Sequence, residues 1–395
     1  MNFILFDDSK RKDLLPLTFT RPVADIRIGI QTIREKWEAM LGCSTSTLTE
    51  SYLSTKFPLV RKTQNILINA CVIPDAKLAA KVLNLKPGEV LVEGDFLVAE
   101  YIPDEDLDTQ SKTSSTPVEV QLDFPVRKIS FTWDIFIRNG EFLIEDYKRI
   151  TKGRKSQALS ATNRVIGAEN IFLEEGAKVE FAIINASEGP VYIGKNAEIM
   201  EGAMIRGPFA ILEGSTLKMG AKIYGPVTIG PFCKIGGEVS QSVFFGYSNK
   251  AHDGFIGHSV IGEWCNMGAG TSCSNLKNTY AEVKMWFYPD ESFVNTEQRF
   301  CGLVFGDHSK SGINTMFNTG TVVGVFANIY GSGFPRQFIP SFTWGGPSGV
   351  KTYKYDKAIE VVKQVFKRRN KEFNWIEEEI LHEIFNITFT YRKDK

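Results

Sequence analysis

An aliphatic residue recurs at every sixth position between residues 193 and 235, and this period constrains the fold more than any other feature of the chain. The eight positions are Ile193, Ile199, Ile205, Ile211, Leu217, Ile223, Ile229 and Ile235. A strand repeats every two residues and a helix every 3.6, so a period of six matches neither a single strand nor an amphipathic helix. It is typical of a hexapeptide solenoid, in which three hexapeptides form one triangular coil and coils stack about 4.8 Å apart.

A second marker follows each aliphatic residue by four positions, where the side chain is mostly small. These positions are Ala197, Ala203, Phe209, Ser215, Ala221, Val227, Cys233 and Val239. Gly, Pro or Asn often precedes them, as a chain corner requires. We predict that the aliphatic residues are buried in one column, each stacked on the residue three hexapeptides later.

The hexapeptide register is interrupted twice. It returns at Phe255, Ile261, Met267 and Cys273, and again, more loosely, at Phe305, Ser311, Phe317, Val323 and Ile329. Segments that leave a solenoid carry function more often than its coils, whose residues are committed to stacking. We therefore expect functional loops at residues 241–254 and 274–304.

Composition narrows the class of protein but not the reaction. A chain of 395 residues predicts two or more domains. Its 46 basic and 46 acidic residues balance, which argues against nucleic acid or an anionic membrane as a partner. The six cysteines form no CxxC pair, which favours reduced thiols in a cytoplasmic protein. We expect no signal peptide, because the start MNFILFDDSKRKD has an acidic break after four apolar residues, and no membrane span, because no apolar run is long enough.

The N-terminal part of the sequence has a mixed α/β pattern, and the C-terminal part a helical one. We predict a strand at 2–6 that ends at Asp7 and Asp8, a helix at 30–41, an apolar run at 66–68 that ends at Asn69, a helix at 75–83, a hairpin at 90–102, a flexible excursion at 103–123 and a long closing helix at 355–384. Polar side chains at the carboxyl ends of strands are where open α/β sheets bind ligands.

One long motif, KAHDGFIGHSVIGEWCNMGAGTSCSN at residues 250–275, resembles the acetyltransferase half of the GlmU family. That family combines N-acetylglucosamine-1-phosphate uridyltransferase and glucosamine-1-phosphate acetyltransferase activities. The resemblance implies that His252 is the catalytic base and that the substrate-binding residues are Lys250, Phe255, Asn266 and Asn275. The run LLPLTFTRPVADIRIGIQTIREKW, with ILINACVIP and FTWDIF, further resembles an alternative bacterial group of GlmU-like sugar nucleotidyltransferases.

The sequence also departs from the family pattern. The family has one more residue between the lysine and the histidine, and a tyrosine where this chain has Phe255. A family lysine expected ahead of the motif has no counterpart at residues 240–242, which read SQS. In the N-terminal half, FDDSKRKDLLPLTFTRP replaces the glycine-rich nucleotide loop.

Residue chemistry agrees with an acetyl transfer site. A sugar amine attacks a thioester carbonyl, and a histidine with a pKa of about 6.5 can accept the amine proton near neutrality. Asn266 and Asn275 could orient sugar hydroxyls or the amine, and Lys250 could neutralise a phosphate. We predict that these side chains and His252 meet in a cleft beside the solenoid, at a subunit boundary.

Purely structural roles are the alternative for some of these residues. His252 could be a loop residue bonded to backbone, and Asn266 could belong to a solenoid turn or an asparagine ladder. His258 and His308 lie outside the motif's functional positions, and we interpret both as structural.

Nucleotidyl transfer requires cations around a triphosphate and Mg²⁺ held by oxygen donors. Arg11 and Arg21 could supply the cations, and we predict that they converge on one phosphate-sized site with Asp8 nearby. The resemblance implies that Arg21 stands roughly where the family uses a lysine, which is not a conservative exchange. Alternatively, Asp8 and Arg11 form a surface turn and Arg21 pairs with Asp25.

Two strand-end residues are candidates to bind Mg²⁺. Asn69 and Asp134 could place amide and carboxylate oxygens near the nucleotide. For Asp134 the alternative is a helix cap at Ile135.

Together these observations predict an α/β nucleotidyltransferase-like domain at 1–155, a left-handed parallel β-helix at 156–345 and a C-terminal helical segment at 346–395. The resemblance implies a sugar-1-phosphate nucleotidylyltransferase, an amino-sugar-1-phosphate acetyltransferase, or both. The implied substrates are a nucleoside triphosphate, a sugar-1-phosphate and acetyl-CoA, and the implied assembly is a homotrimer. Alternatives are a single-activity acyltransferase with a degenerate first domain and a non-catalytic regulatory subunit.

Overall fold

The computed structural model describes residues 1–103 and 118–392 and contains two compact units. Unit 1 comprises Met1–Leu14, Thr20–Ile26 and Gln31–Ser130, and unit 2 comprises Leu15–Phe19, Arg27–Ile30 and Phe131–Lys395. Helix α3 (Asp134–Thr151), which we had placed in the first domain, therefore packs in unit 2. The predicted boundaries at 155 and 345 stay predictions.

Unit 1 is built on a mixed sheet of six strands in the order β2-β1-β3-β5-β4-β6. Its elements are β1 (Asn2–Phe6), α1 (Ile33–Leu41), β2 (Ser46–Leu48), β3 (Gln64–Asn69), α2 (Ala76–Leu83), β4 (Glu89–Glu93), β5 (Phe96–Pro103) and β6 (Val118–Gln121). Short 3₁₀ helices lie at Ser9–Leu14, Val23–Asp25 and Ser51–Leu53. Strands β1, β2 and β3 are parallel, so their carboxyl ends lie at one edge of the sheet.

Local chemistry sets the ends of the two helices of unit 1. Thr32 and Glu35 form a reciprocal capping box, which is why α1 begins at Ile33 and not at residue 30 as predicted. Gly42 ends α1 in the left-handed conformation that glycine adopts without strain. Asp75 caps α2 by accepting from the Leu78 amide at 2.8 Å.

The predicted strands of unit 1 are confirmed, including the hairpin of β4 and β5. In the predicted excursion at 103–123, residues 104–117 lie outside the described part of the chain. At Val118–Gln121 the prediction is wrong, because this segment pairs in parallel with β4 as strand β6.

Unit 2 contains a parallel β-helix with three faces, which confirms the predicted fold class. Face 1 contains β7 (Arg164–Ile166), β10 (Ile183–Asn185), β13 (Met204–Arg206), β16 (Lys222–Tyr224), β19 (Glu238–Ser240) and β22 (Phe255–Gly257). Face 2 contains β8 (Ile171–Leu173), β11 (Val191–Ile193), β14 (Phe209–Ile211), β17 (Val227–Ile229), β20 (Val243–Gly246), β23 (Val260–Glu263), β28 (Leu303–Phe305), β31 (Thr321–Val323) and β33 (Phe338–Ile339).

Face 3 and two small sheets complete the strands of unit 2. Face 3 contains β9 (Lys178–Val179), β12 (Glu198–Ile199), β15 (Thr216–Leu217), β18 (Lys234–Ile235), β21 (Asn249–Lys250), β24 (Asn266–Met267), β29 (Lys310–Ser311), β32 (Asn328–Ile329), β34 (Thr343–Gly346) and β35 (Gly349–Thr352). The parallel pair β25 (Ser272–Cys273) and β30 (Met316–Phe317) and the hairpin β26 (Lys284–Phe287) and β27 (Ser292–Asn295) are separate. The hairpin lies inside the predicted loop at 274–304.

The aliphatic residues of the hexapeptides are buried, as predicted. The first five pair with the residue three hexapeptides later; Ile193 pairs with Ile211, and Ile211 with Ile229. The prediction of a single column is wrong, because each face contributes its own column to the interior. Hydrogen bonds between stacked coils pair the backbone N–H and C=O groups. Burial of the aliphatic side chains stabilises the β-helix by about 25 cal/mol per Å² of apolar surface removed from water.

The first interruption of the register is a shortened coil and not a loop. Ile229 pairs with Phe244, only fifteen positions later, and the chain stays in the β-helix through β20 and β21. The shortening also changes which residue points inward on face 1. Ile256 is fully buried there, whereas Phe255, which we expected inside, is only partly buried.

Aromatic side chains form a column at the corner between faces 2 and 3. All of its members have positive φ, so the corner places each ring above the next: Phe232, Tyr247, Trp264, His308, Phe326 and Phe342. Neighbouring rings stack, with Tyr247 and Trp264 centroids 4.2 Å apart. Stacked rings of this kind contribute about 0.5–1.5 kcal/mol per pair beyond the burial of their apolar area.

Three helices pack in unit 2. On face 2, the Leu143 side chain of α3 packs with Phe172 and Tyr192. Helices α4 (Tyr355–Arg368) and α5 (Trp375–Ile387) follow the β-helix, so the single closing helix that we predicted is divided in two. Phe366 of α4 stacks on Trp264 of the aromatic column at 4.2 Å.

A membrane-spanning helix is not found within residues 1–103 and 118–392.

Candidate functional site

The first candidate site lies at the carboxyl ends of β1 and β3 in unit 1. Phe6 of β1 pairs with Asn69 of β3, so the side chains that follow β1 reach Asn69. Asn69 Nδ2 donates to Asp8 Oδ2 at 2.8 Å, and the Lys10 amide donates to Asp8 Oδ1 at 2.8 Å. Both carboxylate oxygens of Asp8 therefore have fixed positions, and the side chain is only partly buried.

The two arginines expected at this site are both buried, with 5 % of each exposed. Arg11 Nε lies 3.2 Å from Asp7 Oδ2, and Arg11 Nη2 donates to the Tyr52 hydroxyl at 3.1 Å. Burial raises the pKa of Asp7, against the lowering effects of Thr49 and Arg11. The Arg11 guanidinium thus pairs with Asp7 within the unit, and its expected role at a phosphate stays a prediction, as does that of Arg21.

Asp8 and Asn69 differ in how well their side chains could bind Mg²⁺. The Asn69 side chain is 1 % exposed, its Nδ2 donates to Asp8, and its Oδ1 accepts from the Cys71 amide at 3.2 Å. Asn69 therefore orients the Asp8 carboxylate, and one of the two lone pairs on its Oδ1 is occupied. Its expected role at a metal stays a prediction. Asp8 fits, because Mg²⁺ is commonly bound through one or two carboxylates together with substrate phosphates. The described residues contain no cluster of three or more His, Cys, Asp or Glu side chains suited to a metal.

Asp134, the other expected metal ligand, lies in unit 2 at the first residue of α3. Its carboxylate accepts from the Phe131 amide at 2.9 Å. The N-cap residue of α3 is Trp133, and the helix start has no side-chain cap hydrogen bond, so the alternative of a cap by Asp134 at Ile135 is not confirmed. The expected role of Asp134 at a metal stays a prediction.

The second candidate site is the turn that joins β21 of face 3 to β22 of face 1. His252 lies on this turn with its side chain exposed. The next coil holds the turn in place, since the Gly270 amide donates to the Asp253 carbonyl at 2.9 Å. An exposed imidazole on a fixed backbone is suited to accept a proton from a bound substrate.

Lys250 lies inside the β-helix and not on its surface, where we expected it. It pairs with Ile235 in the interior column of face 3 and is 1 % exposed. Its Nζ donates to the carbonyls of Gly236 at 3.0 Å and His252 at 2.9 Å. The shortened coil brings the lysine to an inward position, from which it fixes the backbone of the His252 turn.

The two asparagines of the motif lie apart. Asn266 is exposed on face 3, where its Oδ1 lies 3.4 Å from Asn249 Nδ2. Asn275 follows β25, and its Nδ2 lies 2.9 Å from His258 Nδ1. The described chain therefore does not join Lys250, His252, Asn266 and Asn275 in one hydrogen-bonded group, and their meeting in a cleft stays a prediction.

His258 is the residue that our sequence reasoning missed. It occupies a corner with φ 48° between faces 1 and 2, and burial lowers the pKa of its imidazole to about 4. The signal was available, because His258 follows Phe255 by half a hexapeptide in the same motif. Only the fold shows that the corner faces Asn275.

A buried lysine gives a prediction about stability. Burial lowers the pKa of Lys250 from 10.5 to about 8, while Asp253 acts in the opposite direction. Between these two pH values the unfolded chain binds more protons at this site than the folded protein, so the site's contribution to stability increases with pH. We expect Lys250→Met to change stability in a pH-dependent way, because it removes the cost of a buried charge at pH 7 but loses the hydrogen bonds to the Gly236 and His252 carbonyls at every pH.

Urea unfolding at pH 7 and pH 9.5 tests this expectation. The stability of the variant relative to the parent should be highest at pH 7 and should fall at pH 9.5, where the parent lysine is mostly neutral. Lys234→Met, an exposed position on the neighbouring strand, is the matched control and should change stability equally at both pH values. A stability loss in Lys250→Met that does not depend on pH would contradict the expectation.

Comparison with known proteins agrees with the two-part organisation. Residues 3–155 match the family model described as sugar nucleotidyl transferase. This segment is sugar nucleotidyl transferase-like. The match confirms the resemblance to the GlmU-like group that the N-terminal motifs predicted.

Curated relatives of the chain are named as bifunctional proteins. The chain is 33% identical over 159 residues to a bifunctional sugar-1-phosphate nucleotidylyltransferase/acetyltransferase of Sulfurisphaera tokodaii, covering 36% of each chain. It is 28% identical over 148 residues to the bifunctional protein GlmU of Synechococcus elongatus, covering 35% of this chain and 28% of that protein. The matched regions thus span about a third or less of these relatives' length.

Solved structures similar to the chain include two UDP-N-acetylglucosamine acyltransferases. That of Bacteroides fragilis has 17% identity and a TM-score of 0.24, covering 60% of this chain and 84% of that chain. That of Francisella novicida has 12% identity and a TM-score of 0.28, covering 57% and 88%. We draw no functional conclusion from these structural similarities.

Proposed function

We propose that the protein is a sugar-1-phosphate nucleotidylyltransferase of nucleotide-sugar synthesis. The observation that carries this proposal is the oriented carboxylate of Asp8 at the strand ends of a segment that matches the sugar nucleotidyl transferase family. In this reaction a phosphate oxygen of the sugar-1-phosphate attacks the α-phosphate of a nucleoside triphosphate, and pyrophosphate leaves.

The proposed roles follow from the geometry at the strand ends. Asp8 would hold Mg²⁺ together with phosphate oxygens, and the metal would neutralise charge on the α-phosphate. Asn69 would fix the direction of the Asp8 carboxylate through its 2.8 Å hydrogen bond. Asp7 and Arg11 form a buried pair beneath this edge and would keep the segment after β1 in place.

The test is a panel assay on the purified chain. Nucleoside triphosphates and sugar-1-phosphates are combined with and without Mg²⁺, and released pyrophosphate is measured. We expect release that depends on both substrates and on Mg²⁺. No release with any pair would remove nucleotidyl transfer from the protein and favour the alternative of a degenerate first domain.

Amino-sugar-1-phosphate acetyl transfer is the second function that we propose. The specific observation in its favour is the exposed imidazole of His252 on a turn that Lys250 holds from inside the coil. His252 would take a proton from the sugar amine as the amine nitrogen attacks the thioester carbonyl of acetyl-CoA. Coenzyme A then leaves as the thiol, and the amide product is released.

A homotrimer is part of the proposal, since several strands of face 1 expose a large apolar side chain. Ile183, Met204 and Tyr224 lie on its strands with 53 %, 40 % and 48 % exposure. Face 2 is covered by α3, and the corner between faces 2 and 3 by α4. Exposed apolar side chains clustered on one flat face are typical of a subunit interface.

Light scattering coupled to gel filtration tests the oligomer. We expect a trimer for the parent and a monomer for the double variant Ile183→Glu, Met204→Glu, because two charges on face 1 oppose its burial. Val350→Glu on β35, where valine is 56 % exposed, is the matched control and should remain trimeric. Equal masses for parent and double variant would remove face 1 from the interface.

A further inference from the structure

His258 and Asn275 form a hydrogen-bonded side-chain pair. The chemistry of the two groups determines which one donates and which one accepts. Asn275 Nδ2 and His258 Nδ1 are 2.9 Å apart. A carboxamide nitrogen can only donate a hydrogen bond, so His258 Nδ1 must accept and the ring proton must be on Nε2. The imidazole in this arrangement is neutral, with a defined tautomer.

The surroundings of His258 favour the neutral ring. Phe300 stacks on the imidazole with centroids 5.1 Å apart, and Phe136 contacts it edge-on at 5.9 Å. Burial is the cause that lowers the His258 pKa to about 4. Burial of this kind disfavours the imidazolium, and the pair with Asn275 therefore persists at neutral pH.

Gly257 leaves the space in which the pair forms. A Cβ atom at this position would lie 2.7 Å from Asn275 Nδ2 and 2.6 Å from Phe255 Cζ. Any side chain at residue 257 therefore has to displace one of these two groups. Gly257, Phe255 and Asn275 therefore pack together next to the His258 imidazole.

The hydrogen bond to His258 leaves the other end of the carboxamide available. Within residues 1–103 and 118–392, Asn275 Oδ1 accepts no hydrogen bond from the protein, although the side chain is partly buried. An oriented carbonyl oxygen in this situation is suited to accept from a substrate N–H or O–H group.

We propose that His258 is a positioning residue that holds the Asn275 carboxamide by its nitrogen, so that Oδ1 is presented to an N–H or O–H donor of the acyl-transfer substrates. This inference rests on the proposed acetyl transfer. It assigns to His258 a role in substrate recognition through Asn275, without contact between His258 and the reacting atoms.

The hydrogen bond itself is tested without activity. Long-range ¹H–¹⁵N spectra of the full chain labelled at its four histidines distinguish the tautomers, and a His258→Gln variant assigns the resonance. We expect His258 to be neutral with the proton on Nε2 at pH 7. A proton on Nδ1, or an imidazolium at pH 7, would overturn the proposal.

A substitution that replaces the hydrogen-bond donor with a negatively charged acceptor also tests this bond. Asn275→Asp replaces the donor with an acceptor, so the His258 pKa should rise from about 4 toward neutrality. The chain contains a matched control, because Asn386 and His382 form an exposed pair at 3.3 Å on α5. Asn386→Asp should leave the His258 titration unchanged. A His258 titration unaffected by Asn275→Asp would count against the pair.

Kinetics test the positioning role in an active parent. His258→Leu and Asn275→Ala should each lower kcat/KM for acetyl transfer about tenfold, the loss of one oriented hydrogen bond. The double variant should lose no more than Asn275→Ala alone, because His258 acts only through Asn275. Gly257→Ala, which keeps both partners but displaces them, should show a similar loss.

Multiplicative losses in the double variant would overturn the positioning role. If the parent transfers no acetyl group to any substrate, the proposed function fails. The positioning role then fails with it, while the spectra still decide whether the hydrogen bond exists.

Discussion

His252→Ala should lower acetyl transfer by a factor on the order of 10² to 10⁴, the usual contribution of a general base. The substitution removes the exposed imidazole and leaves the Lys250 hydrogen bond to the residue 252 carbonyl, which is a backbone atom. The fold of the turn should therefore survive. The measurement is the formation of free coenzyme A thiol from acetyl-CoA and an amino-sugar-1-phosphate.

A matched control shows whether the loss is specific to the proposed base, His252, or follows from the loss of any exposed histidine. His382 is an exposed histidine on α5, so His382→Ala should keep full acetyl transfer. Nucleotidyl transfer should also be unchanged in His252→Ala, since the segment matched to sugar nucleotidyl transferases ends at residue 155. Full acetyl transfer by His252→Ala would remove this residue from the mechanism.

Asp8→Asn should lower nucleotidyl transfer by on the order of 10²-fold or more, because a metal-held phosphate contributes several kcal/mol to transition-state stabilisation. Asparagine keeps the shape of the side chain but removes the negative charge and places an amide against Asn69 Nδ2. Pyrophosphate release as a function of Mg²⁺ concentration is the measurement. The concentration of Mg²⁺ that gives half-maximal rate should increase.

The control for this charge loss is Asp123→Asn in the same unit. Asp123 is exposed and pairs with Lys77 at 3.3 Å on the surface, so its replacement should change neither the rate nor the Mg²⁺ dependence. An Asp8→Asn enzyme with the parent's rate and Mg²⁺ dependence would show that Asp8 holds no metal.

The fold was largely predictable because its signals are local and periodic. The stacking of Ile193, Ile211 and Ile229 follows from a spacing of eighteen residues, which is readable without any structure. The strand β1 and the helix α2 were equally readable from an apolar run and a capping Asp75. The division of the closing helix into α4 and α5 was not, because residues on both sides of residue 370 continue a helical pattern.

The candidate sites were less predictable, because side-chain direction depends on stacking. A coil shortened by three residues places Lys250 in the interior and leaves Phe255 only partly buried, whereas the register that returns at Phe255 predicts an inward Phe255 and no inward position at residue 250. The sequence showed the motif but not its register. Neither the pairing of Asn275 with His258 nor the contact of Asp134 with the Phe131 amide can be read from spacing alone.

The sequence by itself determined a β-helix with an α/β segment before it and helices after it, since hydrophobic period and strand-end chemistry act over a few residues. Tertiary structure decided which polar groups meet: Asp8 with Asn69, Lys250 with the His252 carbonyl, and His258 with Asn275. The physical reason is that a hydrogen bond between residues 17 or 61 positions apart depends on the register of strands that the intervening chain sets, and that the shortened coil decides whether the Lys250 side chain is inside.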